Sequence, residues 1–162
     1  MSDESMGELD ELYQEVLLDH SKSAERRASK DVQELALLRS RCSCAEAFNP
    51  LCGDEVAFYA RKAGGIVAEV AYAGQGCAIS QASASMAAQA IEGQTAAEAS
   101  CELQAALRML TGEAGAPPQM EDWQALAGVG KYPMRVKCAT MAIRAALAAI
   151  ELQDGDQIEL GD

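Results

Sequence analysis

The sequence predicts an α+β fold: a small antiparallel three-stranded sheet with helices packed on one face. Three observations predict it. One helical segment opens the chain, two alternating segments follow around a glycine hairpin, and the remainder is helical and rich in alanine. Residues 1–8 read as a disordered N-terminus, 9–152 as one domain and 153–162 as a loose acidic tail. A chain of 162 residues is long enough for one domain with a real core.

The elements follow in order. Leu9 to His20 places Leu9, Leu12, Tyr13, Val16 and Leu17 on one helical face. Residues 21–31 are polar and read as a loop, and Val32 to Leu38 fits neither period cleanly. Arg39 to Ala47 alternates weakly, so Ser40, Cys42, Cys44 and Glu46 would share one strand face. FNPLCGD, residues 48–54, is a turn: Pro50 restricts Asn49, and Gly53 permits a left-handed backbone. Glu55–Arg61 and Ile66–Ala73 are strands joined by KAGG, residues 62–65. Ala78–Glu92 is a helix stopped by Gly93. TAAE, residues 95–98, has the spacing of a capping box and opens a helix that Gly112 ends. A loop at 112–118 and a short helix at 121–127 lead to a last helix starting near Pro133.

Composition narrows the function. Asp and Glu number 25 against 13 Lys and Arg, a formal charge of -12, which repels nucleic acid. No segment reaches the roughly 18 apolar residues of a membrane span. The acidic opening MSDESMGELDEL lacks the character of a signal or transit peptide, so a cytoplasmic protein is expected. In a reducing compartment six cysteines serve as metal ligands, reactive thiols or core residues sooner than as disulfides.

Three of those cysteines stand in settings suited to chemistry. Cys52 lies in the tight turn, two residues before Asp54. Cys77 lies at a helix entry, where a thiolate feels the positive end of the helix dipole. Cys138 lies near the start of the last helix, among Lys131, Arg135 and Lys137. Three sulfurs and one carboxylate make a four-donor set of the kind tetrahedral Zn²⁺ accepts. The spacing is not that of paired CxxC motifs, and the competing reading is burial of each thiol as a small hydrophobe. For Cys42 and Cys44, core packing or an incidental exposed thiol is preferred over a secondary metal or sulfur-relay role, and Cys101 reads as packing. For His20, stabilisation of a helix C-terminus is preferred over ligation. Trp123 reads as an anchor for its loop.

NPLCGDEV, GQGCAISQASASM and GVGKYPMRVKCATMAIRAAL, in that order, resemble the iron–sulfur assembly proteins of the NifU N-terminal family, which includes the IscU and SufU kinds. LYQEVLLDH is similar to that family's first helix, and the resemblance runs from about Leu12 to Ala149. It is closer to the SufU kind. Sixty residues separate Cys77 from Cys138, and Lys137 stands where the IscU kind has histidine. The stretch 20–47 departs from the family pattern.

The resemblance implies that Cys52, Asp54, Cys77 and Cys138 are metal ligands and that Cys52 accepts persulfide sulfur. Arg135 matches a basic residue close to the site in the SufU kind; Gly53, which lets the turn move, and Lys137, next to Cys138, are read as supporting residues. The expected function is then zinc-dependent sulfur transfer, a sulfurtransferase-type accessory role beside a SufS-like cysteine desulfurase, with a downstream iron–sulfur scaffold as recipient. The alternatives are a scaffold holding Fe²⁺ or a transient [2Fe-2S] cluster, and a structural zinc-binding interaction domain. Neither nucleic acid nor membrane is an expected partner.

Overall fold

The structure is a computed structural model and describes residues 3–28 and 31–160. In chain order the elements are α1 (Asp3–Lys22), α2 (Val32–Arg41), β1 (Ser43–Asn49), β2 (Asp54–Ala63), β3 (Ile66–Gln75), α3 (Ala78–Ile91) and α4 (Ala96–Thr111). A 3₁₀ turn (Glu121–Trp123), α5 (Gln124–Ala127), a second 3₁₀ turn (Gly128–Lys131), α6 (Pro133–Glu151) and β4 (Gln157–Leu160) complete it.

The α+β class stands, but the sheet has four strands, in the order β3-β2-β1-β4. β1, β2 and β3 form an antiparallel meander, as expected, and β4 joins β1 in parallel. The segment read as a loose tail therefore supplies an edge strand. Gly155, at φ 91°, turns the chain after α6, and Cys44 N–H donates to the Asp156 carbonyl at 2.9 Å. Backbone pairing to β1 makes β4, and Leu160 packs on the main core; its other side chains are exposed, so no alternation announced it.

Alternation along the strands separates two cores. Ala45 and Ala47 of β1, Val56, Phe58 and Ala60 of β2, and Val70 and Tyr72 of β3 face the main helical layer. There α3, α4 and α6 pack through small residues: Ala82, Ala87, Ala88, Ala106, Ala142, Ala145, Ala146 and Ala149 are fully buried. Alanine lets helices approach closely, and dense packing of this kind substitutes for aromatic bulk. α1 packs on α3 from outside.

The expectation of helices on one face needs correcting. α2 covers part of the other face, over a smaller core of Ala28, Leu38, Cys42, Cys44, Tyr59 and Ala73. Val32–Arg41 is a helix because Asp31 caps it, accepting from Gln33 N–H at 2.9 Å. Cys42 is its C-cap, so the strand begins only at Ser43. α1 likewise begins at Asp3, so residues 3–8 are helical where disorder was expected. Thr95 caps α4 by accepting from Glu98 N–H, and Gly112 ends it at φ 77°. Trp123 is fully buried, its Nε1 donating to Glu102 at 3.2 Å, so it does anchor its loop.

Candidate metal centre

The β1–β2 turn, the entry to α3 and the start of α6 converge at one end of the sheet. The turn is closed by Gly53 N–H donating to the Asn49 carbonyl at 2.8 Å, with Gly53 at φ 73°. Asn49 Oδ1 also accepts from Leu51 N–H at 3.1 Å. These bonds fix a short excursion whose apex residue, Cys52, is exposed. Asn49 and Asp54 are cross-strand partners, and Asp54 is buried on the helix-facing side.

The Cys52 and Cys138 sulfurs are 3.8 Å apart. Those two sulfurs and a carboxylate oxygen of Asp54 all lie within 4.8 Å of one another. Cys77 stands beside this trio and is not part of it at that radius. Its backbone N–H donates to Asp54 Oδ1 at 3.2 Å, which ties the entry of α3 to the end of β2. Its sulfur caps α3, accepting from Ser80 N–H at 3.5 Å. Asp54 Oδ2 is buried and has no hydrogen-bond partner.

The two glycines before Cys77 permit this approach. A Cβ on Gly74, at φ 143°, would strike the Glu55 carbonyl oxygen of β2. A Cβ on Gly76 would strike Ser80 Oγ and come within 2.8 Å of the Asp54 carboxyl carbon. Only glycine lets the strand exit run over the β2 backbone and set Cys77 against Asp54.

The electrostatics of the cluster follow from burial and crowding. Cys138 is buried, and burial pushes its thiol well above the ordinary range. The crowding of Cys77, Asp54 and Cys52 around it pushes it the same way. A buried cluster of anion-forming groups with an unsatisfied carboxylate oxygen lacks positive charge at its centre.

A divalent cation meets that need, and the donors fit one. Two thiolates each about 2.3 Å from a tetrahedral ion lie about 3.8 Å apart, the separation observed. Cys52, Asp54 and Cys138 supply three donors, and Cys77 is the adjacent fourth. Arg135 and Lys137 are both exposed near the start of α6. Neither forms an ion pair with a described residue.

The remaining thiols are apart from this centre. Cys42 and Cys44 are buried in the small core, as expected. Cys101 is exposed on α4, against the expectation that it packs.

Sequence reasoning missed two polar residues here. Asn49 orders the turn, and its Nδ2 is buried without a partner; the signal was an asparagine before proline, read only as a turn. His20 does more than end α1. It contacts Ser85 Oγ at 2.8 Å through Nδ1 and Asp122 at 2.7 Å through Nε2, joining α1 to α3 and to the first 3₁₀ turn. No local pattern in the sequence signals contacts of such range.

The NifU-like N-terminal domain family matches residues 12–151, nearly the whole chain. The chain belongs to that family. Among NifU-like relatives, the zinc-dependent sulfurtransferase SufU of Bacillus subtilis is 34% identical over 148 residues, covering 91% of this chain and 95% of that protein. The iron–sulfur cluster assembly scaffold protein IscU of Streptococcus pyogenes is 32% identical, covering 91% and 87%. A crystal structure from Fervidobacterium islandicum, assigned as an iron–sulfur cluster assembly scaffold protein for the SUF system, superposes with a TM-score of 0.70. It is 29% identical over 84% of this chain and 94% of that one. Among the described residues, no helix is long and apolar enough to cross a membrane.

Proposed function

We propose that this NifU-like domain accepts sulfane sulfur on Cys52 from a cysteine desulfurase and passes it toward iron–sulfur cluster assembly. One observation carries the reading. Two sulfurs from distant stretches lie 3.8 Å apart, with a buried carboxylate whose free oxygen has no other partner. Cys52, Asp54, Cys77 and Cys138 would hold Zn²⁺, which keeps thiolates deprotonated without redox chemistry of its own. The name of the Bacillus subtilis relative supports zinc and sulfur transfer.

The chain's own residues divide the work. Cys52 is an exposed residue of the set, at the apex of a turn that Gly53 closes, whereas Cys77, though exposed too, is tied into the entry of α3. Its thiolate attacks the outer sulfur of the desulfurase persulfide. A new S–S bond forms on Cys52, the partner's S–S bond breaks, and the partner's thiolate leaves and takes up a proton. Cys138, buried at 6% exposure, and Asp54, at 3%, stay in place while Cys52 moves. Cys77 stays because its backbone N–H and its capping sulfur hold it at the entry to α3.

A second reading, a scaffold for a [2Fe-2S] cluster, is favoured by the IscU relatives and uses the same thiolates. One experiment separates the two. The chain, purified without added metal, is assayed for zinc, iron and acid-labile sulfide. It is then mixed with a cysteine desulfurase and cysteine, and the Cys52 peptide is weighed. Bound zinc with a gain of one sulfur on Cys52, abolished by chelation, is the expected result. Iron with stoichiometric sulfide and an unmodified Cys52 would replace this reading with the scaffold.

A further inference from the structure

Beside the metal centre runs a groove of about 160 Å³ between the end of β1, the turn and α6. Leu51 and Phe48 form its rim and are 68% and 51% exposed; Met141 and Leu160 line it. Along its α6 wall stand Lys137 and Arg144, both exposed. Neither pairs with a carboxylate among the described residues.

Acidic groups outnumber basic ones 25 to 13, and four other arginines are paired with them. Arg26 contacts Glu92, Arg39 contacts Glu46, and Arg41 and Arg61 share Glu69. Two cations on the α6 wall of an apolar groove, neither paired among the described residues, set a local field opposite in sign to the chain's net charge.

We infer that this groove docks a short acidic segment of a protein partner, one apolar side chain entering between two carboxylates that reach Lys137 and Arg144. The spacing specifies the segment. Seven residues of helix set the two cations about 10.5 Å apart along the α6 axis. A segment in the polyproline II conformation covers about 9 Å in three residues and brings the third back to the same face. The matching pattern is acid, apolar, any residue, acid, or the same with the middle two exchanged. The groove has room for one apolar side chain. Leu51 is adjacent in sequence to Cys52, so a segment seated here brings its protein to the exposed thiol. The chain's overall negative charge repels acidic proteins at a distance, but is screened beyond about 8 Å at physiological salt. Contact with these two cations is therefore required, and acidic proteins lacking the apolar anchor are rejected.

The inference rests on the sulfur-transfer reading only in choosing a protein as occupant. It is tested on the full chain alone, without desulfurase, so the two can fail separately. The probes are fluorescein-labelled octapeptides with Glu at both ends of the four-residue pattern and Leu, Met or Phe between, read by fluorescence anisotropy. Saturable binding is expected for at least one of them. Arg144→Glu and Lys137→Glu should each weaken it about tenfold, as should glutamine in place of either probe glutamate. Should a charge reversal disturb folding by circular dichroism, Arg144→Gln is read instead, with a loss in the same direction. No saturation by any probe, equal binding by the charge-reversed variants, or equal binding of a lysine-for-glutamate probe overturns the inference.

Discussion

Cys42 and Cys52 flank opposite ends of β1, and each is followed two residues later by a second group able to bind metal, Cys44 in one case and Asp54 in the other. The two ends are built differently. At the first, both sulfurs are sealed beneath α2, at 0% and 1% exposure. The charges around them are matched, with Arg39 on Glu46 and Arg41 and Arg61 on Glu69. Burial, with Glu69 next to it, pushes the Cys42 thiol up to about 11. At the second end Cys52 is exposed on a turn, a carboxylate oxygen lacks a partner, and a third sulfur arrives from α6. The difference teaches that pattern does not separate a structural thiol from a working one. The balance of charge and hydrogen bonding around it does.

The comparison breaks first at Cys52. Cys52→Ser should retain the fold by circular dichroism and lose all sulfur gain from a desulfurase, whereas Cys42→Ser should keep that gain. Equal sulfur gain in both variants would erase the functional distinction between the two ends.

The next largest effect lies in the glycine approach to Cys77. In Gly74→Ala the new Cβ meets the Glu55 carbonyl at a φ of 143°, so a loss of about 1–3 kcal/mol in unfolding free energy is expected. Thermal unfolding measures it, and Gly64→Ala is the control for positive φ without a clash, because nothing lies near that Cβ. A smaller loss at Gly74 than at Gly64 would contradict the close approach.

Alkylation sharpens the contrast. With iodoacetamide at pH 8 after chelation, Cys52, Cys77 and Cys101 should be modified and Cys42 and Cys44 protected, read by peptide mass. All of the first three are exposed. For Cys42, a pKa of about 11 leaves about one thiolate in a thousand at that pH, and burial blocks the reagent as well.

The smallest effect belongs to Glu69. Its hydrogen bonds from Arg41 and Arg61 hold the carboxyl down at about 2, below the ordinary glutamate value. Depression of a folded-state pKa stabilises the fold above the unfolded value of about 4.3, and that stability is lost as pH falls toward about 2. Glu69→Gln should therefore flatten the stability profile between those limits, measured by urea unfolding across acid pH. An unchanged slope would show that the ion pairs over the sealed thiols contribute nothing.

These contrasts mark what the sequence could reveal. The β2–β3 hairpin was legible because KAGG sits between two apolar runs, and Gly64 and Gly65 do turn at positive φ. The start of α6 was legible from Pro133, which lacks the N–H that a first helical turn leaves unpaired. α2 was not, since its inward stripe comes down to Leu35 and Leu38 while Val32 and Leu37 face solvent. β4 was not, because partner strand β1 creates it through backbone bonds that leave no mark on side chains. At the site, the residue types Cys52, Asp54, Cys77 and Cys138 could be singled out along the chain. Their convergence came from motifs resembling a known family, since contacts across 86 residues have no local signature. The role of Asn49 in the turn, and the lack of an ion-pair partner for Lys137 and Arg144 among the described residues, emerged only from three dimensions.

The central claim is that three sulfurs and one carboxylate share a single cation. X-ray absorption at the zinc edge of the chain purified without added metal tests it most directly, with metal content measured on the same sample. The account predicts one zinc per chain with three sulfur neighbours and one oxygen, falling to two sulfurs in Cys52→Ser. Substoichiometric metal, or a shell of nitrogen and oxygen alone that Cys52→Ser leaves unchanged, would contradict it.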